Sequence, residues 1–208
     1  MKYIQAYSDT SEALIALDNG GRFYNILTNA EDGKISAAEL AKVGGLFNDR
    51  QKMILFLELS ISKLDAADRA KVLTSLDEAL MESFHKFRAQ KLLPSQAQEK
   101  GILSHNAIIT GIPKMTESRK DFKGFILIPI MTGKVMTFVP VPIIEKYDIY
   151  EVRDEMSATT FLIAHTKGEA KLPEEKIVVA GVLKELKTEK DEDKGSRKFL
   201  EVNYFMSI

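Results

Sequence analysis

"KIVVAGVLKELKT", residues 176 to 188, is the stretch that decides the fold of the second half of this chain. Its β-branched residues and the turn-forming residues around it predict a β-strand. Gly181 lies inside that strand. Because an internal glycine marks a bulge or a sharp bend, we expect one at this position, as a small barrel needs at its corners.

Five further segments after about residue 122 have the same character. They are rich in β-branched and aromatic residues and are bounded by turn-forming residues. In the last of them Val202, Tyr204 and Met206 occupy alternate positions, which places them on one side of a strand. The predicted strands are "GFILIPI" (124–130), "KVMTFVPVPI" (134–143), "DIYEVRD" (148–154), "TTFLIAHT" (159–166) and "KFLEVNYFMSI" (198–208).

Residues 124–144 form the most apolar segment of the chain. A membrane-spanning helix needs about 20 apolar residues that tolerate a helix. Pro129, Pro140 and Pro142 would break such a helix repeatedly. We therefore expect two strands joined by a turn at Thr132-Gly133-Lys134, and a charged hairpin loop at residues 188–198.

The first half of the chain has a helical pattern. Ser8, Asp9 and Thr10 are candidate caps of a first helix, which the glycines at 20 and 21 would end. A short helix is expected through "RFYNILTNA" (22–30), and another after Ser36. Asp49 is a plausible cap for "RQKMILFLELSISKL" (50–64).

The strongest helix prediction begins at Asp65 and continues to residue 90. Apolar residues recur there every three or four positions, so they line one face of a single long helix. These residues are Leu73, Leu76, Leu80, Phe84 and Phe87.

These patterns predict an α+β protein with two parts. Residues 1–94 are expected to form an α-helical bundle, with Pro94 as its stop. Residues 95–121 are a linker or boundary, although "NAIITGI" (106–112) fits either a strand or a helix. Residues 122–208 are expected to form a small antiparallel β-barrel, similar to an OB-fold, or a curled sheet.

Composition restricts the classes of function. The net charge is −1, which argues against a wholly basic nucleic-acid binder. The chain has no cysteine, so disulfides, thiolate nucleophiles and cysteine-based metal sites are excluded. The first residues contain no apolar run of signal-peptide length. We expect a cytoplasmic protein without a cofactor.

"TNAEDGKISAAEL", residues 28 to 40, matches part of a calcium-binding EF-hand loop. With Gly33 at the sixth position, Asp32 falls at the fifth and Glu39 at the twelfth. Thr28 and an alanine occupy the first and third positions, where carboxylates are normally needed. The metal candidates are Thr28, Asp32 and Glu39. The alternative is a glycine turn followed by a helix that a Ser36–Glu39 capping box begins.

The same region resembles the TerB-like tellurite-resistance domains. The residues that carry the resemblance are "ILTNAEDGKISAAELAKV" (26–43) and "LDAADRAKVLTSLDEAL" (64–80). The resemblance implies an all-helical bundle linked to stress response, and it makes Asp32 and Glu39 candidate metal ligands.

The C-terminal region resembles an OB-fold, because "KIVVAGVLKEL" (176–186), a charged loop and "KFLEVNYF" (198–205) look like paired strands of such a barrel. The resemblance implies binding of single-stranded nucleic acid or oligosaccharide by aromatic stacking and basic side chains. Acidic residues 191–193 in the charged loop would repel phosphate, and the rings would also fit a barrel core. The candidates are Tyr150, Phe161, Phe199, Phe205, Lys184, Lys187, Arg197 and Lys198.

No catalytic constellation emerges from the sequence. His85, His105 and His165 lie in different predicted elements and form no metal-binding pair. There is no P-loop, dinucleotide fingerprint or nucleophile elbow. We therefore expect a non-catalytic protein that acts through protein–protein interaction, with a different protein or a second copy as partner. The alternatives are single-stranded nucleic-acid binding by the barrel and weak metal binding at the 28–39 loop.

Overall fold

The structure, a computed structural model, describes residues 1–23, 26–46, 48–116, 124–132, 135–154, 159–188 and 197–208. The chain divides into two compact units, one spanning Lys2–Ala89 and the other Gln90–Ile208 together with Met1. No helix within the described ranges is both long and apolar enough to cross a bilayer.

The first unit combines five helices with short strands. Each helix begins at a polar residue whose side-chain oxygen accepts a backbone N–H, as N-caps do. The predicted caps Asp9, Ser36, Asp49 and Asp65 are confirmed, and Asp77 is a fifth. The elements are β1 (Lys2–Tyr3), α1 (Thr10–Leu17), β2 (Asn19–Phe23), β3 (Ile26–Ala30), α2 (Ala37–Gly44), α3 (Arg50–Ser60), α4 (Ala66–Thr74) and α5 (Glu78–Phe87).

Two helix predictions in this unit are wrong. Within 22–30, the described residues 22–23 and 26–30 belong to the antiparallel strands β2 and β3 rather than to a short helix. The long helix expected from Asp65 is divided into α4 and α5, because the backbone of Ile35 pairs with Ser75 and Asp77 between them. A pairing partner 40 residues away overrides the local helical period.

The second unit is built around a large mixed sheet. The six strands predicted after residue 122 are all present, and "NAIITGI" is part of a seventh. Pro94 does not end a helix; it is the first residue of one, a position that needs no N–H. The elements are β4 (Gln90–Leu92), α6 (Pro94–Lys100), β5 (Asn106–Met115), β6 (Gly124–Thr132), β7 (Val135–Pro142), α7 (Ile143–Lys146), β8 (Tyr147–Arg153), β9 (Thr160–Thr166), β10 (Ile177–Thr188) and β11 (Arg197–Ser207).

Five of these strands pair in a closed circuit. Following the pairings, β5 neighbours β8, β8 neighbours β9, β9 neighbours β11, β11 neighbours β10, and β10 returns to β5. One buried cluster takes side chains from all five strands: Ile109, Tyr150, Ile163, Val179 and Leu200. This core cluster therefore lies inside the circuit, and a second buried cluster, which includes Tyr147 and Phe199, packs on the opposite face of these strands.

The expected α+β arrangement of an N-terminal helical bundle and a small antiparallel β-barrel or curled sheet is wrong. Helices do come first and strands later, but the first unit includes the β2–β3 hairpin. The sheet is mixed, since β9 and β11 pair in parallel and so do β4 and β5. It also extends beyond the circuit, because β6 pairs with β10 and β7 with β6.

Gly181 lies at a bulge, as the sequence predicted. The register between β10 and β11 shifts between Ala180 and Gly181. A Cβ at Gly181 would lie 1.9 Å from the carbonyl oxygen of Glu201, so only glycine fits there. Beyond the bulge Val202, Tyr204 and Met206 are buried, as their alternation predicted.

The predicted turn at 132–134 and the predicted loop at 188–198 lie largely outside the described residues, which omit 133–134 and 189–196.

Candidate functional site

The hairpin of β6 and β7 has one face made only of apolar residues. Side chains of directly opposed residues lie on the same face of an antiparallel pair, and alternate pairs share that face. We call the more exposed one the outer face. Its members are Phe125, Leu127, Pro129, Met131, Met136, Phe138, Pro140 and Pro142.

The outer face is open to solvent over most of its length. Met131 is 71% exposed, Met136 is 59% exposed and Phe138 is 57% exposed. Only Phe125, at the base of the hairpin, is half-buried. Because monomeric proteins rarely expose large contiguous apolar patches, this face is a candidate interaction surface.

A groove of about 480 Å³ lies beneath the hairpin. Its apolar lining comes from residues 126–129 of β6 together with Leu103 and Leu183, while lysines from β10 and α7 contribute charge. This combination of apolar walls and a few polar groups is typical of a ligand site. The lining residues are Leu103, Ser104, Ile126, Leu127, Ile128, Pro129, Lys146, Tyr147, Leu183, Lys184, Glu185 and Lys187.

A network of polar contacts joins two residues of the groove, Tyr147 and Lys184, to Glu201. The Tyr147 hydroxyl donates to Glu201 Oε1 at 2.5 Å, and Lys184 Nζ lies 2.6 Å from Glu201 Oε2. Burial raises the pKa of the Tyr147 phenol well above its usual range, and the hydrogen bond to Glu201 and the charge of that carboxylate raise it further. The phenol therefore remains a neutral donor at physiological pH.

The charges of the groove are only partly balanced. Glu201 neutralises Lys184, and Lys187 Nζ lies 3.5 Å from Glu185 Oε2. Among the residues that the structure describes, Lys146 has no carboxylate within ion-pair distance. The groove therefore keeps a small excess of positive charge.

The basic residues predicted to bind nucleic acid are divided between two environments. Lys184 and Lys187 both line the groove. Arg197 is exposed at the start of β11. The side chain of Lys198 is already hydrogen-bonded within the second unit, because its Nζ donates to the carbonyl of Gly101 at 2.8 Å.

The aromatic candidates lie in the core. Tyr150, Phe161 and Phe199 are buried, and Phe205 is half-buried against the core cluster. The three buried rings offer no exposed face on which a base could stack.

The two predicted metal-ligand residues whose side chains the structure describes, Asp32 and Glu39, act as hydrogen-bond acceptors for nearby backbone groups. Glu39 is buried, with one oxygen accepting from the Ser36 N–H and hydroxyl and the other from the Gly20 N–H, each at 2.8 Å. Asp32 is exposed and caps the Lys34 N–H, while the side chain of Thr28 lies outside the described set. The predicted capping box is confirmed.

The loop is instead fixed by a residue that the sequence did not point to. Asp18 is buried, and its carboxylate accepts the N–H groups of Asp32 and Gly33. Within the described ranges, no group of three or more histidine, aspartate or glutamate side chains could hold a metal ion.

The histidines hold separate structural positions. His165 is fully buried, stacks on Tyr150, and places Nε2 3.3 Å from the Tyr150 hydroxyl. His85 is exposed beside Phe84, and His105 is exposed with Nδ1 3.1 Å from the Leu103 carbonyl.

Neither a protein-family model nor a curated protein matches this chain. The site therefore has to be interpreted from its own geometry. Sequence reasoning missed Lys146, Tyr147 and Glu201, because the groove brings together residues between 103 and 187, and only the sheet order places Glu201 beside Tyr147 and Lys184. The available signal was the run of apolar residues in 124–142, which contains no charge apart from Lys134.

Proposed function

We propose that this protein is a non-catalytic binding protein that acts through protein–protein interaction, and that the outer face of the β6–β7 hairpin is its contact surface. The observation that carries this proposal is an eight-member face without a polar side chain, of which seven members are exposed. Burial of a large apolar side chain contributes about 1.5–3 kcal/mol. The exposed fractions of Met131, Met136 and Phe138 together offer about 3–6 kcal/mol, enough for the core of an interface.

A photo-reactive amino acid placed at Met131 tests this surface in cells that express the protein. We expect one discrete covalent adduct, and we expect Phe138→Asp to abolish it because the substitution places a charge in the apolar contact. The matched control is the same photo-reactive residue at Ile102, a side chain of the same unit that is 49% exposed outside the hairpin. Equal labelling from Ile102, or no adduct from Met131, would contradict the proposal. The circular dichroism spectrum of Phe138→Asp must match the wild type.

A second candidate function, single-stranded nucleic-acid binding, is favoured by the lysines of the groove. We propose that the five-strand circuit corresponds to the OB-fold that the sequence resembles, with β5, β8, β9, β10 and β11 as its successive strands. In OB-folds the loops after the first and fourth strands contact the ligand. The hairpin of β6 and β7 occupies the first of those connections, and β10 leads into the second.

The buried rings weaken this candidate, since base stacking would have to come from other residues. Binding would then rest on phosphates and fall steeply with salt. Fluorescence anisotropy with a labelled oligonucleotide measures this binding. We expect Lys187→Glu to weaken it more than Lys91→Glu, the control, which makes the same charge change at an exposed position of β4. Absence of binding at low salt would remove the candidate.

A further inference from the structure

The outer edge of the sheet is formed by β7. Among the described residues, β7 pairs with β6 alone, so the backbone groups on its other side have no strand beside them. Such an edge is a template for another strand, and proteins usually protect it with charges or prolines. The described part of β7 carries no charge, and its prolines lie only at positions 140 and 142.

The prolines of the hairpin reveal which backbone groups face the open edge. Pro129 is opposite Phe138, and Pro140 and Pro142 are opposite residues of β6 in the same alternating phase. Proline has no N–H for a hydrogen bond between strands. The residue pairs that contain a proline are therefore the pairs of β6 and β7 that are not hydrogen-bonded to each other. The N–H groups of Met136 and Phe138, which share this phase, therefore point outward. Pro140 and Pro142 occupy the next two outward positions, and neither has an N–H to donate.

The proline-free part of β7 is five residues long, which is enough for a short antiparallel pairing with its own equivalent. It runs from Val135 to Val139 and is centred on Thr137. We propose that a second copy of this chain adds its own β7 to this edge, antiparallel, with a two-fold axis at Thr137. The inference rests on the proposed function, since it names the partner of the same hairpin.

The register of this pairing follows from the two outward donors. Met136 lies opposite Phe138 of the second copy, and each such pair exchanges two N–H···O bonds. The two-fold axis generates the pair twice. Thr137 then lies opposite its own equivalent in a pair without hydrogen bonds, and Val135 lies opposite Val139.

A second copy fits this edge better than a longer foreign strand does. The self-pairing ends at Val139 on each chain, because β7 begins at Val135 and the two strands run in opposite directions. A longer strand would place carbonyl groups opposite Pro140 and Pro142, which have no N–H to offer. The pairing also brings Met136 and Phe138 of the two copies together on the outer face, and apolar contacts of this kind characterise homodimers.

Cysteine cross-linking tests the register directly, because the chain contains no cysteine of its own. In Thr137→Cys the two thiols face each other across the axis, with Cβ atoms about 4.5–5.5 Å apart. We expect rapid oxidation to a covalent dimer. Val139→Cys is the matched control on the same face of the strand. Its equivalents would be about 13 Å apart, too far for a disulfide, so it should stay uncrosslinked.

Sedimentation velocity provides the second measurement. Phe138→Pro removes an outward donor without removing a bond to β6, whereas Phe138→Ala keeps the donor and removes only the ring. We expect the wild type to sediment as a dimer, Phe138→Ala as a weaker dimer because it loses the ring contact, and Phe138→Pro as a monomer at the same concentration.

A monomeric wild type at every concentration would overturn the inference, and so would equal cross-linking of Thr137→Cys and Val139→Cys. In either case, a Phe138-dependent adduct of Met131 with a different protein would leave the proposed function standing. The two failures are therefore distinguishable.

Discussion

Replacing Glu39 by glutamine tests whether the 28–39 loop is a helix cap or a metal site. The Glu39 carboxylate accepts three hydrogen bonds, from the Ser36 N–H, the Ser36 hydroxyl and the Gly20 N–H. A glutamine amide has one acceptor oxygen, so its NH₂ group must face either Gly20 or Ser36 and leave a donor without a partner. An unsatisfied buried donor costs about 1–3 kcal/mol, and bonds to a charged group are worth about 1.5–3 kcal/mol. We expect Glu39→Gln to lower the free energy of unfolding by about 2–3 kcal/mol.

Urea unfolding followed by circular dichroism measures this loss. Asp32→Asn is the matched control, since its amide oxygen can still accept the Lys34 N–H on the exposed loop, and we expect a change within about 0.5 kcal/mol. Each protein is measured with and without calcium. Both oxygens of Glu39 are already engaged, so we expect calcium to leave the wild-type midpoint unchanged. A ligand that binds the folded state raises stability. A calcium-dependent rise in the wild type that Glu39→Gln abolishes would refute the capping interpretation.

Further predictions concern the groove and the bulge. Tyr147→Phe should cost about 1–2 kcal/mol near neutral pH, because it leaves Glu201 without its hydroxyl donor. The folded-state pKa of Tyr147 is raised, so the stability that the neutral phenol contributes is complete below its usual pKa of about 10 and is lost as pH rises above it. The wild type should therefore lose stability more steeply than Tyr147→Phe above that pH, and parallel unfolding curves would contradict this. Gly181→Ala should prevent folding of the second unit or destabilise it by more than about 3 kcal/mol, since its Cβ would overlap the Glu201 carbonyl. Gly45→Ala, at a left-handed cap with open space around it, should cost only about 1 kcal/mol in the same thermal unfolding assay.

Most secondary structure of the second unit could be predicted because each strand carries its own signal. Alternation in 202–206 and the glycine at 181 are local properties, and the structure preserves both. The N-terminal helices were predictable where a cap stood beside an apolar run, as at Asp49 and Ser36. Prediction failed between α4 and α5, where Ile35 pairs with a segment far along the chain.

The candidate site could be predicted only in part. The apolar residues of 124–142 were visible, and so were Lys184 and Lys187. The sequence left the aromatic rings open between base stacking and core packing, because a strand pattern does not say which of its two faces is covered. The structure places Tyr150 and Phe199 in two different core clusters.

The sequence by itself determined the order of the strands after residue 122, most helix caps, the bulge at Gly181 and the absence of thiol chemistry. These depend on the conformational preferences of single residues and on contacts within a few positions. Only the tertiary structure decided the parallel pairing of β9 with β11, the closure of the circuit, the groove around Tyr147 and the open edge of β7. Strand pairing joins residues that are distant in sequence. Backbone hydrogen bonds form with any residue type, so the sequence of one strand says almost nothing about which strand it pairs with.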